Sequence, residues 1–112
     1  LLIGCSSQSL IANGEELEDQ AGIVLQLYHL PDAQLHGVHF DQDDLESLQG
    51  PEAWQQKSGV PATQCRGWLV FADPFHLEGE AWLREWNAGY PGIPSVGGLA
   101  SGVYEDQRTQ LY

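Results

Sequence analysis

Residues 68–98 read WLVFADPFHLEGEAWLREWNAGYPGIPSVGG, and this stretch decides the fold class. Trp68, Leu69, Val70 and Phe71 form the centre of an apolar run over residues 65–72, the length and composition of a strand. Asp73-Pro74 ends it, because the residue before a proline is pushed out of the helical region and the proline offers no N–H. The period then changes. Gly79, Trp82, Leu83, Trp86 and Tyr90 stand at i, i+3, i+4, i+7 and i+11, one face of a helix over residues 78–88. Tyr90-Pro91-Gly92 stops that helix, and residues 93–96 open a second strand that runs into Gly97-Gly98. Strand, helix, strand in this order predicts a parallel crossover and an α/β fold. Trp68, Val70, Leu83, Trp86 and Val96 are its predicted core.

Upstream, residues 1–4 read as the end of a buried strand, followed by a small polar turn, Cys5-Ser6-Ser7-Gln8-Ser9. Asn13-Gly14 is a strong turn signal. Residues 23–28 are apolar at nearly every position, the pattern of a strand covered on both faces. Pro31-Asp32 closes that run, and residues 35–40 read as a second strand, which together predict a hairpin. The expected sheet is therefore mixed, parallel through the crossover and antiparallel through the hairpin. Residues 41–56 tolerate a helix that Asp41 or Asp43 could cap. Gly50-Pro51 breaks it, with Pro51 placed to open a second helical turn, and residues 57–64 read as a loop.

Ile3-Gly4-Cys5-Ser6-Ser7 is echoed by Val96-Gly97-Gly98-Leu99-Ala100-Ser101-Gly102. Each is an apolar strand end, then glycine, then small residues. Read as equivalent turns, they predict an internally duplicated domain that starts late in one copy and stops within another. A strand and helix before Leu1 and a hairpin after Tyr112 are then expected, together with a sheet edge left unpaired.

The blocks Ile3 to Ser7, Leu30-Pro31, Leu69-Val70-Phe71-Ala72-Asp73-Pro74 and Tyr90 through Gly102 resemble, in order and spacing, the N-terminal FIST domain of bacterial sensory proteins and some eukaryotic F-box proteins. The last block is the most specific. The resemblance covers nearly the whole chain and marks residues 1–112 as a partial domain of this type. It implies an intracellular signalling role and binding of a small ligand, with amino acids or related metabolites suggested. It implies no catalytic residues and no cofactor. Its implied partners are the remaining segments of the domain and a C-terminal FIST domain or output domain.

Composition narrows the alternatives. The 112 residues suit one domain, and four Trp, four Tyr and three Phe can anchor its core. Asp and Glu number 16 against four Lys and Arg, a formal charge of −12. That field repels phosphate backbones and anionic membranes, so neither nucleic acid nor membrane is an expected partner. The plain reading of the acidity is solubility. Cys5 and Cys65 make no disulfide framework, which favours a reduced, cytoplasmic protein with the two thiols unbonded. No apolar run approaches the roughly 20 residues of a membrane span.

The candidate ligand site comprises Gly4, Cys5, Ser6, Ser7, Gly97, Gly98 and Ser101. Two small-residue turns at strand ends would let a ligand approach backbone N–H groups, a common position in α/β sheets. The bland alternative is that these glycines simply make tight turns. No phosphate-loop lysine follows either pair. Cys5 could serve a thiol enzyme if one of His29, His36, His39 or His76 stood beside it, although a small buried cysteine is commoner. A protein-interaction scaffold without ligand is the third reading. His36, His39 and Asp41 offer too few ligands on one strand face for zinc, and the acidic run Asp41–Glu46 lacks the spacing of a calcium loop. Trp82 and Trp86, four apart on a helix, read as core rather than a ligand box.

Overall fold

The computed structural model describes residues 1–18, 20–102 and 109–112. Its elements in chain order are strands β1 (Leu10–Ala12) and β2 (Glu15–Leu17), helices α1 (Gln42–Ser47) and α2 (Pro51–Ser58), strand β3 (Trp68–Ala72), helix α3 (Gly79–Gly89) and strand β4 (Ser95–Leu99). β3 and β4 pair in parallel, with Val70 opposite Gly97 and Phe71 opposite Gly98. The crossover read from residues 68–98 is therefore present, with each element within a few residues of its expected bounds, and the chain is mixed α/β.

The antiparallel part is elsewhere than expected. β1 and β2 form a short hairpin around Asn13 (φ 54°) and Gly14 (φ 81°). Two consecutive positive φ values are what a two-residue hairpin turn needs to match strand twist. Residues 23–28 and 35–40 carry no strand, although Pro31-Asp32 does turn, with Ala33 N–H donating to Leu30 O at 3.3 Å. A run of apolar residues holds as a buried strand only when neighbours pair it and layers cover it. Here residues 23–28 are all exposed, Leu27 at 97%. The two pairs β1–β2 and β3–β4 are also separate sheets rather than one mixed sheet. Residues 1–4 form no strand, although Cys5 makes an isolated antiparallel bridge with Leu111.

The core lies between α2, α3 and one face of β3. Trp54, Trp86, Tyr90 and Cys65 are its buried centre, with Phe40, Leu45, Leu48, Trp68, Trp82 and Ile93 packed around them. Trp86 is the hub. Its ring meets those of Phe40, Trp54, Trp68, Trp82 and Tyr90 at centroid distances of 4.8–5.8 Å. Edge-to-face and offset contacts of this kind satisfy the ring quadrupoles as well as burying area. Trp86 Nε1 also donates to Ser95 Oγ at 3.2 Å, tying α3 to β4. Trp68 and Val70, expected in the core, are only half-buried. Leu83 and Val96 are not core: they are 48% and 65% exposed. Leu83 sits one position off the centre of the face that α3 buries, and all five residues of β4 are exposed.

Polar groups fix the helices. Asp41 caps α1 by accepting from Asp44 N–H at 2.9 Å, and the Asp44 carboxylate accepts from Asp41 N–H, a capping box. Pro51 occupies the first turn of α2, where its missing N–H costs nothing. Lys57 meets Asp44 at 2.6 Å and joins α2 to α1. That bond holds the Asp44 carboxyl below its ordinary value and the Lys57 ammonium above its own. The Tyr90 hydroxyl donates to Val60 O at 3.0 Å and also meets Ser58 Oγ. Burial pushes the Tyr90 phenol up. Gln55 spans the same junction, donating to Gly89 O at 2.9 Å and accepting from Ala62 N–H at 3.0 Å.

Both cysteines are free, Cys5 half-buried and Cys65 buried at 5% exposure. A thiol-reactive chromogenic disulfide is therefore expected to modify Cys5 in the native protein and Cys65 only in denaturant. Two thiols reacting together without denaturant would contradict this core.

Candidate ligand site at the ends of the parallel strands

The C-terminal ends of β3 and β4 are where the chain brings its distant turns together. Ala100 N–H donates to Ala72 O at 2.8 Å, extending the parallel ladder by one bond. The next residue, Ser101, donates its N–H to Ser6 O at 3.1 Å, while Ser6 Oγ donates back to Ser101 O at 2.8 Å. Ser101 Oγ accepts from Gln8 N–H at 2.9 Å, and Ser6 Oγ accepts from Gln110 N–H at 3.0 Å. Gly4 exchanges both backbone bonds with Tyr112, at 3.0 and 2.9 Å. Residues 4–8 thus close onto Ser101 and residues 110–112 in one seam through backbone and serine hydroxyls.

The seam sorts the expected site residues. Cys5, Ser6 and Ser101 are brought together, and Ser7 lies beside them with its hydroxyl donating to Ser9 O. Ser6 Oγ is committed to the seam as both donor and acceptor. Among the described residues Ser101 Oγ accepts one bond and finds no acceptor for its own proton. Gly97 and Gly98 do not belong to the turn. They occupy the third and fourth positions of β4, and at about 3.3 Å per residue Gly98 lies roughly 10 Å short of Ser101 along the chain. Gly97 serves the sheet instead. Its φ is +153°, and a Cβ there would overlap the Val70 carbonyl oxygen and stand 2.7 Å from its carbon. A bulky residue at this position would disrupt the sheet, so it cannot report on ligand binding.

Asp73, read from the sequence only as a strand terminator, is a charged group at this end among the described residues. It follows β3 directly. Its Oδ1 accepts from Phe75 N–H at 2.9 Å, and its Oδ2 lies 2.7 Å from His76 Nδ1. Partial burial pushes the Asp73 carboxyl up, but the Phe75 N–H, the His76 ring and the Thr109 hydroxyl outweigh it and hold the carboxyl below its ordinary value. Asp73 is therefore a fixed anion, and through Thr109 it adjoins the segment that pairs with Ser6. The Asp-Pro dipeptide after an apolar strand is the available signal, since an acid there falls at the binding end of a parallel pair.

Two clefts are lined by other residues. One of about 240 Å³ lies between the β1–β2 hairpin and residues 23–26, and one of about 120 Å³ lies beside α1 and α3. Neither includes Cys5, Ser6, Ser7, Gly97, Gly98 or Ser101. Among the described residues, Cys5 meets no histidine, and no group of three His, Cys, Asp or Glu is placed to hold a metal ion. Among the same residues no helix is long and apolar enough to cross a membrane.

The FIST N domain model matches residues 1–112, the whole length of the sequence. The chain belongs to the FIST N domain family. FIST domains are sensory domains of signal transduction and are not a known enzyme family. No curated protein and no solved structure matches this FIST N chain. Two of the blocks that carry the resemblance, Leu69 to Pro74 and Tyr90 through Gly102, thus contain most of β3, all of β4 and Ser101 of the seam.

Proposed function

We propose that this FIST N domain is a cytoplasmic sensory module that binds a small zwitterion, an amino acid or related metabolite, at the C-terminal ends of β3 and β4. One observation carries the reading: the fixed Asp73 carboxylate and the Ser101 hydroxyl, whose proton meets no acceptor among the described residues, stand at the same end of the parallel pair. Asp73 would receive the ligand ammonium. Ser101, with backbone N–H groups of the Cys5–Ser7 turn, would receive its carboxylate. A zwitterion suits a chain of charge −12 better than a phosphate ester, since its cationic end offsets the repulsion met by its anionic end. The module acts by binding, and Cys5 without a neighbouring histidine supports that over thiol catalysis.

Titration calorimetry of the complete domain with an amino-acid panel tests this. One class of side chain should give heat, and Asp73→Asn should weaken that binding by about tenfold or more, the scale of a lost charge-assisted bond. Uniformly absent heat would sink the ligand reading.

The scaffold reading has an observation of its own. Ile23, Leu25, Leu27, Val96 and Leu99 are 63–97% exposed, more apolar side chain than a soluble surface ordinarily shows. In the sensory reading these faces are where the remaining FIST segments, and a C-terminal FIST or output domain, dock and receive the signal.

A further inference from the structure

The cleft beside α1 and α3 has a different character from the strand ends. Leu45, Ala81 and Trp82 give it apolar and aromatic walls, and Glu46, Glu78 and Glu85 line it with carboxylates. Among the described residues these acids have little cationic compensation. Glu46 accepts only from the Gln42 side-chain amide, at 2.9 Å. Glu85 accepts from Gly50 N–H at 3.4 Å and lies 3.7 Å from Arg84, whose side chain is 74% exposed. Lys57 is taken by Asp44. His76 also lines the cleft, but its ring nitrogen faces the Asp73 carboxylate. Among the described residues the cleft therefore keeps an excess of negative charge, which a cation from outside would balance.

The shape says which kind of cation. The three glutamates do not converge closely enough to chelate a metal ion. A space of about 120 Å³ holds roughly four waters' worth of volume, the scale of one long side chain. Lysine and arginine combine an aliphatic stem with a terminal charge, so one can lie along Leu45 and Ala81 while its head meets Trp82 and the carboxylates. We propose that this cleft docks a lysine- or arginine-bearing segment of a partner protein, separately from the ligand site at the strand ends.

The test is fluorescence anisotropy of a labelled peptide, Gly-Leu-Arg-Lys-Leu-Arg-Gly, against the full chain at low salt. The triple variant Glu46→Gln, Glu78→Gln, Glu85→Gln should weaken binding by about tenfold or more, as truncated charge pairs at interfaces do. A control variant, Glu15→Gln, Glu16→Gln, Glu18→Gln, removes the same charge from the hairpin region and should change binding by less than about twofold. Circular dichroism checks that both variants keep their helices. The same peptide with norleucine at its three basic positions should not bind. Equal loss in both triple variants would reduce the effect to net charge and overturn the proposal. So would tight binding of arginine amide alone, which would make the cleft a small-cation site, or no peptide binding at all.

Discussion

Trp86→Ala is expected to destabilise the domain by about 3–5 kcal/mol, the range for buried large aromatic truncations. Stabilities of ordinary domains are about 5–15 kcal/mol, so this one change would remove much of the total. The argument rests on position rather than on size alone. Trp86 is 2% exposed and touches five other rings, so its removal opens a void at the one place where α2, α3 and β3 all meet. It also deprives Ser95 Oγ of its donor. Trp86→Phe keeps part of the ring contact and should cost clearly less. Urea unfolding monitored by circular dichroism checks both, and an alanine variant within about 1 kcal/mol of the parent would show that the hub is not the centre of the core.

Gly97→Val is expected to prevent native folding altogether. The new Cβ would overlap the Val70 carbonyl, which lies on the partner strand and cannot yield without breaking the ladder. The positive φ adds strain that a β-branched residue tolerates worst. Gly98→Val is the matched comparison, because a Cβ at Gly98 meets nothing within 4 Å. A β-branched residue there should be neutral or mildly stabilising in an exposed strand. If both variants expressed and melted alike, the pairing of Val70 with Gly97 would be wrong.

The crossover is legible in the sequence because its signals are local and agree with one another. The 3.6 period of Trp82, Trp86 and Tyr90 dictates which face α3 buries, and Pro74 and Pro91 fix where strand and helix can end. The caps are equally local: Asp41 and Pro51 act within one turn of themselves. The hairpin falls elsewhere for the opposite reason. Ile23 to Tyr28 have strand composition, but a strand is made by its neighbours, and none among the described residues pairs with it. The true hairpin around Asn13-Gly14 has only three residues per strand, too few for alternation to show. Val96 has the composition of core yet lies on a strand whose five residues are all exposed. For the candidate site, Ser6 and Ser101 do meet through hydrogen bonds, while Gly97 and Gly98, expected in the matching turn, lie within β4. Asp73 does not stand out in the sequence, because its carboxylate gains meaning only when Thr109 and His76 are folded against it. The fate of the expected duplication beyond Ser101 falls partly on residues 103–108, outside the described residues.

The four tryptophans, Trp54, Trp68, Trp82 and Trp86, all stand in or against the one aromatic cluster, and none lies before residue 54. Intrinsic indole emission is thus a regional instrument. It reports the helices and β3 as a single coupled chromophore and is blind to the β1–β2 hairpin and to the seam at Ser6. A label placed at Cys5 would view the remainder, and the two signals together would show whether the seam opens before the aromatic cluster does or with it.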